Sequence, residues 1–274
     1  AARGGSSISF VDDNSLSSAR RARELARAMC ESGLGLRWAG YLRADRVAAE
    51  DAPLLAESGL IGAWCGIESG DPEMLRSMRK RSDPQAARVA IDALTGAGVQ
   101  VQASFVVGFP GETRATLDAT AAFLNGLRRD ARARVEYLLW PFYLMPGAPV
   151  DRPERRRELG LTGLLGEWRH RTMSAADVHG TWAPYLFRAV DASYAYYGGD
   201  TSSLWSPARR SQVIALRKAV TVAFLDRAPD EIVQERFAAL YRALRVIPGD
   251  VPAWRDHLAA RERQPGAAAA RSVA

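Results

Sequence analysis

From residue 7 to residue 143 the chain alternates two hydrophobic rhythms. Short apolar runs, SISFVDD (7–13), LRWAGYLR (36–43), IGAWCGIE (61–68), VQVQASFVVG (99–108) and RVEYLLWPFY (134–143), predict five strands. Between them, apolar residues recurring every three to four positions predict helices over 17–29, 48–57, 84–97 and 113–127. The punctuation agrees. Ser17 and Thr113 are N-cap types, Pro84 after Asp83 suits a first helical turn, and Gly59 and Gly98 suit helix ends. Strands separated by helices with short connections need right-handed crossovers, and so predict an α/β fold with a parallel sheet.

The rhythm changes after Val150. Helical spacing continues over 175–196, 207–225, 230–244 and 251–263, with no strand predicted, and RQPGAAAARSVA at the end reads as a disordered tail. The expected division is a strand–helix domain over 1–150 and a helical region over 151–274.

In parallel α/β sheets and barrels, ligands meet the carboxyl ends of the strands. Those ends here carry Asp12, Asp13 and Asn14; Tyr41 and Arg43; Glu68, Ser69 and Gly70; Gly108, Phe109, Pro110, Gly111 and Glu112; and residues 141–143. In SFVVGFPGET (104–113) two glycines around Pro110 permit close backbone approach by a flat heterocycle or a carboxylate. The same residues also suit a tight strand-to-helix turn with Glu112 near a helix N-terminus. In GIESGDPEMLRSMRK (66–80), Glu68 can accept paired ribose hydroxyls, while Asp71 and Pro72 suit a helix entry. Lys80 either reaches an acidic group or lies on a solvated cationic face. FVDDN (10–14) places two carboxylates and an amide together, suited to an ammonium group; a hard cation needs further oxygen ligands. Trp168, His170 and Met173 of GEWRHRTM (166–173) either face a ligand or pack in a core or interface.

Composition narrows the choices. At 274 residues, 47% hydrophobic and 25% charged, the chain has an ordinary globular make-up. Its net charge of +6 comes from arginines interleaved with Glu24, Glu154 and Glu158, the pattern of solvated helix faces rather than of a nucleic-acid surface. The sequence has neither a long apolar span nor a secretion signal at its start, so a cytoplasmic protein away from membranes is expected. Cys30 and Cys65 are its two cysteines, too few for a disulfide scaffold or a self-contained metal site; metal ligands are therefore expected to be absent.

Taken in order, these motifs resemble the radical SAM superfamily, in particular its cobalamin-dependent methyltransferase branch. FVDDN resembles the end of the second barrel strand, GIESGDPEMLRSMRK the fourth, SFVVGFPGET the fifth, and YLLWPFYLMPGAPV (137–150) the sixth strand and its following turn. The resemblance implies a partial (β/α)6-type TIM barrel, here without its first unit, followed by a C-terminal helical region. It implies S-adenosylmethionine as ligand: Gly108, Phe109, Pro110, Gly111 and Glu112 on the adenine side, Glu68 and Ser69 near the ribose, and Asp12, Asp13 and Asn14 near the methionine amine. Tyr41 and Arg43 are implied for the ligand carboxylate or a small-molecule or peptide substrate.

The family also uses a 4Fe-4S cluster held by a C-x-x-x-C-x-x-C trio, which this sequence lacks, and its methyltransferase branch uses cobalamin. The expectation is the C-terminal portion of a methyltransferase of natural-product or secondary metabolism, inactive in radical chemistry by itself. Two rivals stand beside it: a cluster-free relative that binds a ligand or partner without catalysis, and an unrelated barrel enzyme using Asp12, Asp13 and Glu68 as acid and base.

Overall fold

The five expected strands lie side by side in chain order, all parallel: β1 (Ser7–Phe10), β2 (Arg37–Tyr41), β3 (Leu60–Glu68), β4 (Gln100–Val107) and β5 (Val135–Pro141). The computed structural model describes residues 7–12, 16, 18–128, 135–190, 193–194 and 207–245. Helices α1 (Ala19–Glu31), α2 (Ala52–Glu57), α3 (Pro72–Ser77), α4 (Pro84–Gly96) and α5 (Arg114–Asn125) make the crossovers. Strand order that follows chain order, with a helix between neighbours, is the arrangement of a (β/α) barrel. Here it is a partial barrel.

Local chemistry sets the boundaries. Asp71 and Asp83 accept hydrogen bonds from Met74 N and Gln85 N, each ahead of a proline at the first helical position, and Thr113 forms a reciprocal capping box with Thr116. Ser18 caps α1 where Ser17 was expected; Ser17 lies outside the described residues. Gly59 and Gly98 follow α2 and α4 with φ of +93° and +94°, a backbone turn that L side chains resist.

The strands sort their side chains with period two. On β4, Val101, Ala103, Phe105 and Val107 are fully buried, while Gln100, Gln102, Ser104 and Val106 are half-buried on the opposite face. Phe105 meets Phe123 of α5 edge-on, with ring centroids 5.9 Å apart. Ile91, Leu94, Leu117 and Leu124 complete this layer, each contributing about 1.5–3 kcal/mol by burial. Trp38 is enclosed too, its indole N–H donating to Ser58.

Two expectations for the C-terminal half are corrected. First, strands are present: β6 (Thr162–Leu164) and β7 (Glu167–Arg169) form an antiparallel hairpin after α6 (Pro153–Leu159), and Ser193–Tyr194 adds a short parallel edge to β5. The hairpin strands are three residues each, below the length at which alternation can be read.

Second, the helix expected over 175–196 is broken. It runs as α7 (Ala175–Asp177), a π-helical turn (Val178–Trp182) and α8 (Ala183–Ala189), and leaves in extended geometry at Val190. Pro184 lacks the N–H that would bond to the carbonyl of Gly180, so a regular ladder cannot pass through it.

The compact units are residues 1–218 and 219–274, with their boundary inside α9 (Pro207–Leu225). The second unit includes the end of α9 and α10 (Asp230–Arg245), where Arg236 donates to Ala219 O at 2.9 Å. The helix expected over 251–263 and the tail after it lie outside the described residues.

Candidate functional site

The face of the sheet opposite α4 and α5 is half-open and polar. Register places Tyr41 beside Trp64, Trp64 beside Gln102, and Gln102 beside Glu136; one step along, Gly66 lies beside Ser104 and Ser104 beside Leu138. Gln100 donates to Glu136 at 2.6 Å, and the Tyr41 and Trp64 rings are tilted together at 5.0 Å. Aromatic rings beside amides and a hydroxyl form a surface that can hold a flat, hydrogen-bonding ligand. Gln100, Gln102 and Ser104 were not among the sequence candidates, although the alternation Gln-Val-Gln-Ala-Ser is the signal that marks them.

At the carboxyl end of β3 this face becomes charged. Lys80 donates to Glu68 Oε1 at 2.6 Å and to Gly66 O at 2.5 Å. Both side chains are about three-quarters buried, and the glycine leaves the room: a Cβ on Gly66 would stand 2.5 Å from Glu68 Oε1. The solvated alternative for Lys80 is thereby excluded. Two of its three ammonium hydrogens are engaged, which leaves the third to an incoming acceptor. Glu68 itself adopts φ +69°, a left-handed conformation that costs a non-glycine residue about 1–2 kcal/mol.

The loop after β4 is more enclosed than its glycines suggest. Gly108 (φ +91°) donates its N–H to Glu112 Oε2 and receives a contact on its carbonyl from His170 Nε2 at 3.1 Å. A Cβ on Gly108 would press on Val178 and lie 2.8 Å from Trp168. The Gly108 amide is thus used inside the protein, and a close approach to this glycine is made by the β6–β7 hairpin and the π-helical turn. Trp168 donates to Phe142 O at 2.9 Å and stacks on His170 with 4° between the rings. His170 and Trp168 take the packing alternative of the sequence reading.

Glu112 is 1% exposed, and burial pushes its carboxyl up to about 7, against the pull of the Gly108 N–H. Its Oε1 has no hydrogen-bond partner. Burial likewise holds His170 below the usual imidazole range.

The remaining candidates are dispersed. Ser69 is buried at α5: its Oγ accepts from Asp71 N at 3.1 Å and lies 3.4 Å from Thr120 Oγ1. These contacts tie the end of β3 to α5. Arg43 is held by Asp45 at 2.9 Å and donates to Arg81 O at 3.0 Å, pinning one loop to another. Pro110 is buried, Phe109 is half-buried with its ring 5.3 Å from Phe142, and Gly111 is exposed. Asp12 is exposed beyond β1; Asp13 and Asn14 lie outside the described residues.

The cysteines do not fit an iron-sulfur cluster. Cys30 lies on α1 and is exposed, whereas Cys65 is buried in β3, where burial pushes its thiol up to about 12 and keeps it protonated. Two thiols so placed cannot replace the three thiolates such a cluster takes. Among the described residues no group of three His, Cys, Asp or Glu side chains is placed to hold a metal. Nor is any helix among them long and apolar enough to cross a membrane.

Residues 1–124 match the radical SAM superfamily. This segment belongs to that superfamily.

The chain is 30% identical over 123 residues to an uncharacterized methyltransferase of Pyrococcus horikoshii, an alignment taking 45% of this chain and 27% of the relative. It is 26% identical over 121 residues to the anaerobic magnesium-protoporphyrin IX monomethyl ester cyclase of Rubrivivax gelatinosus, taking 43% and 22%. It therefore spans about a quarter of the length of these curated relatives. Among solved structures, the apo cobalamin-dependent S-adenosylmethionine radical enzyme OxsB superposes with a TM-score of 0.54 at 12% identity, over 81% of this chain and 39% of that one. At that identity the likeness concerns the fold, and it agrees with the partial barrel.

Proposed function

We propose that this chain is the S-adenosylmethionine-binding portion of a cobalamin-dependent radical SAM methyltransferase that acts on a small molecule or peptide of natural-product metabolism. One observation carries the binding part: within the radical SAM segment, the Glu68–Lys80 pair stands at the end of β3 beside a half-open face of rings and amides. These groups fit an adenosyl ligand. Glu68 can accept ribose hydroxyls through the oxygen that Lys80 does not hold, Lys80 can donate to a carboxylate, and Tyr41 and Trp64 offer flat apolar contact. The methyltransferase part is supported by the Pyrococcus horikoshii relative's name, and the cobalamin part by the fold shared with OxsB.

S-adenosylmethionine supplies a deoxyadenosyl radical when an adjacent reduced cluster cleaves it, and the cysteines here do not fit such a cluster. What these residues do is bind, orient and shield the ligand. Calorimetric titration of the chain with S-adenosylmethionine tests this. Saturable binding, weakened about tenfold or more in Glu68→Ala, is the expected result. Absence of binding, or equal binding by that variant, overturns it.

The cysteine placement favours a second reading, a cluster-free relative that holds a ligand or a partner protein without catalysis. Anaerobic reconstitution with iron and sulfide separates the two uses of the fold. A stoichiometric cluster on this chain removes the second reading.

A further inference from the structure

Gly108 is held at both of its backbone polar groups, by one partner near in the sequence and one far from it. Its N–H goes forward to Glu112, while its carbonyl meets His170, 62 residues later on the segment that leaves β7. A carbonyl only accepts, so His170 Nε2 carries the proton in this contact. The other ring nitrogen must then be an acceptor. Thr172 meets that requirement, with its N–H 3.4 Å and its hydroxyl 3.1 Å from His170 Nδ1. The imidazole is thus selected as one neutral tautomer, in agreement with its burial.

The ring's position is fixed as well. Trp168 stacks on one side of it, donates to Phe142 O at the end of β5, and lies against the bare Cα of Gly108. Phe142 N in turn donates to Val107 O at 2.7 Å. One hairpin therefore grips the carboxyl ends of two adjacent barrel strands. The gripped residue immediately precedes the turn that the Glu112 N bond to Phe109 O closes at 2.9 Å, and within that turn Gly111 is exposed.

We propose that Trp168 and His170 are positioning residues: the hairpin latches onto Gly108 and sets the conformation of the 108–112 turn, and through it the affinity for the adenosyl ligand. The ligand half of this inference rests on the function proposed above; the latch does not.

Amide hydrogen exchange of the full chain, read over 104–113 with 60–68 as a control, tests the latch. His170→Ala is expected to speed exchange at the 108–112 turn about tenfold, the value of one buried hydrogen bond, while 60–68 keeps its wild-type rate. His170→Gln, whose side-chain amide can reach the same carbonyl, should restore most of the protection. Thr172→Val changes an exposed residue and removes the hydroxyl at His170 Nδ1 while keeping the backbone N–H there, so it should fold and give a smaller acceleration in the same place. S-adenosylmethionine affinity should fall in the same order: wild type, Gln, Ala.

The proposal is overturned if His170→Ala accelerates 60–68 as much as 104–113, if Gln is no better than Ala, or if Thr172→Val leaves the turn unchanged. Should His170→Ala fail to fold, Thr172→Val decides alone. If the wild-type chain binds no S-adenosylmethionine, the proposed function falls, and the exchange order still decides whether the hairpin holds the turn.

Discussion

Lys80 lies 2.6 Å from Glu68 across the end of β3, and Glu68 keeps this contact from a left-handed backbone. Strain of this kind persists where the surroundings over-determine a residue, and it concentrates at ligand sites. Glu68→Gly should therefore be more stable than Glu68→Ala by about 1 kcal/mol, because both lose the ion pair and glycine alone relieves the backbone. Urea unfolding of the two variants makes the comparison. In a double-mutant cycle with Lys80→Met, Glu68→Gln should show a coupling of about 1 kcal/mol.

Gly108 and Gly111 bracket the same turn and should respond differently. Both have positive φ, +91° and +97°, so alanine strains either. Only at Gly108 would the new Cβ collide, with Val178 and Trp168; at Gly111 it meets open space. Gly111→Ala should cost about 1–2 kcal/mol, and Gly108→Ala distinctly more, with a shift in tryptophan emission as the hairpin is displaced.

Glu112 predicts a stability profile. Its folded carboxyl titrates near 7 against an ordinary 4.5, so the folded state binds an extra proton between those values. Its contribution is fully present below about pH 4.5 and is lost as pH rises through about 7, on the order of 3 kcal/mol in all. His170 acts in the opposite sense. Its folded value lies below 6.5, so stability is lost as pH falls below that range. Thermal midpoints of wild type and Glu112→Gln across pH 4 to 8 separate them: the substitution should remove the loss on the alkaline side and keep the His170 loss on the acid side.

The two thiols should react at very different rates. Cys30 is exposed, while Cys65 is enclosed with its thiol pushed up to about 12. A thiol reagent at neutral pH should label Cys30 in the folded chain and Cys65 only once urea unfolds it. Rapid native labelling of both would refute the placement of Cys65 in β3.

The legible parts of the sequence are those where local chemistry is strong. The five strands, the prolines at the starts of α3 and α4, the Thr113 cap and the glycines after α2 and α4 carry their own signals, and the structure places them within a few residues of expectation. The β6–β7 hairpin carried none, since three-residue strands have too little alternation, and Pro184 of α8 sits in an otherwise helical rhythm. Lys80 was ambiguous for a related reason: a lysine among arginines looks solvated until a carboxylate is found beside it.

By itself, then, the sequence determined the alternation of strand and helix, the parallel sheet, and the polar strand ends where a ligand would meet it, because periodicity and capping act over a few residues. Only the tertiary structure decided which strand-end groups share a surface. It turned Ser69 toward α5, engaged Arg43 with Asp45, paired Glu68 with Lys80, and brought His170 across 62 residues to the carbonyl of Gly108. Such pairings depend on strand register and on distant segments packing into contact. No local window of sequence contains both partners of the Gly108–His170 contact, so its existence becomes visible only when the chain is folded.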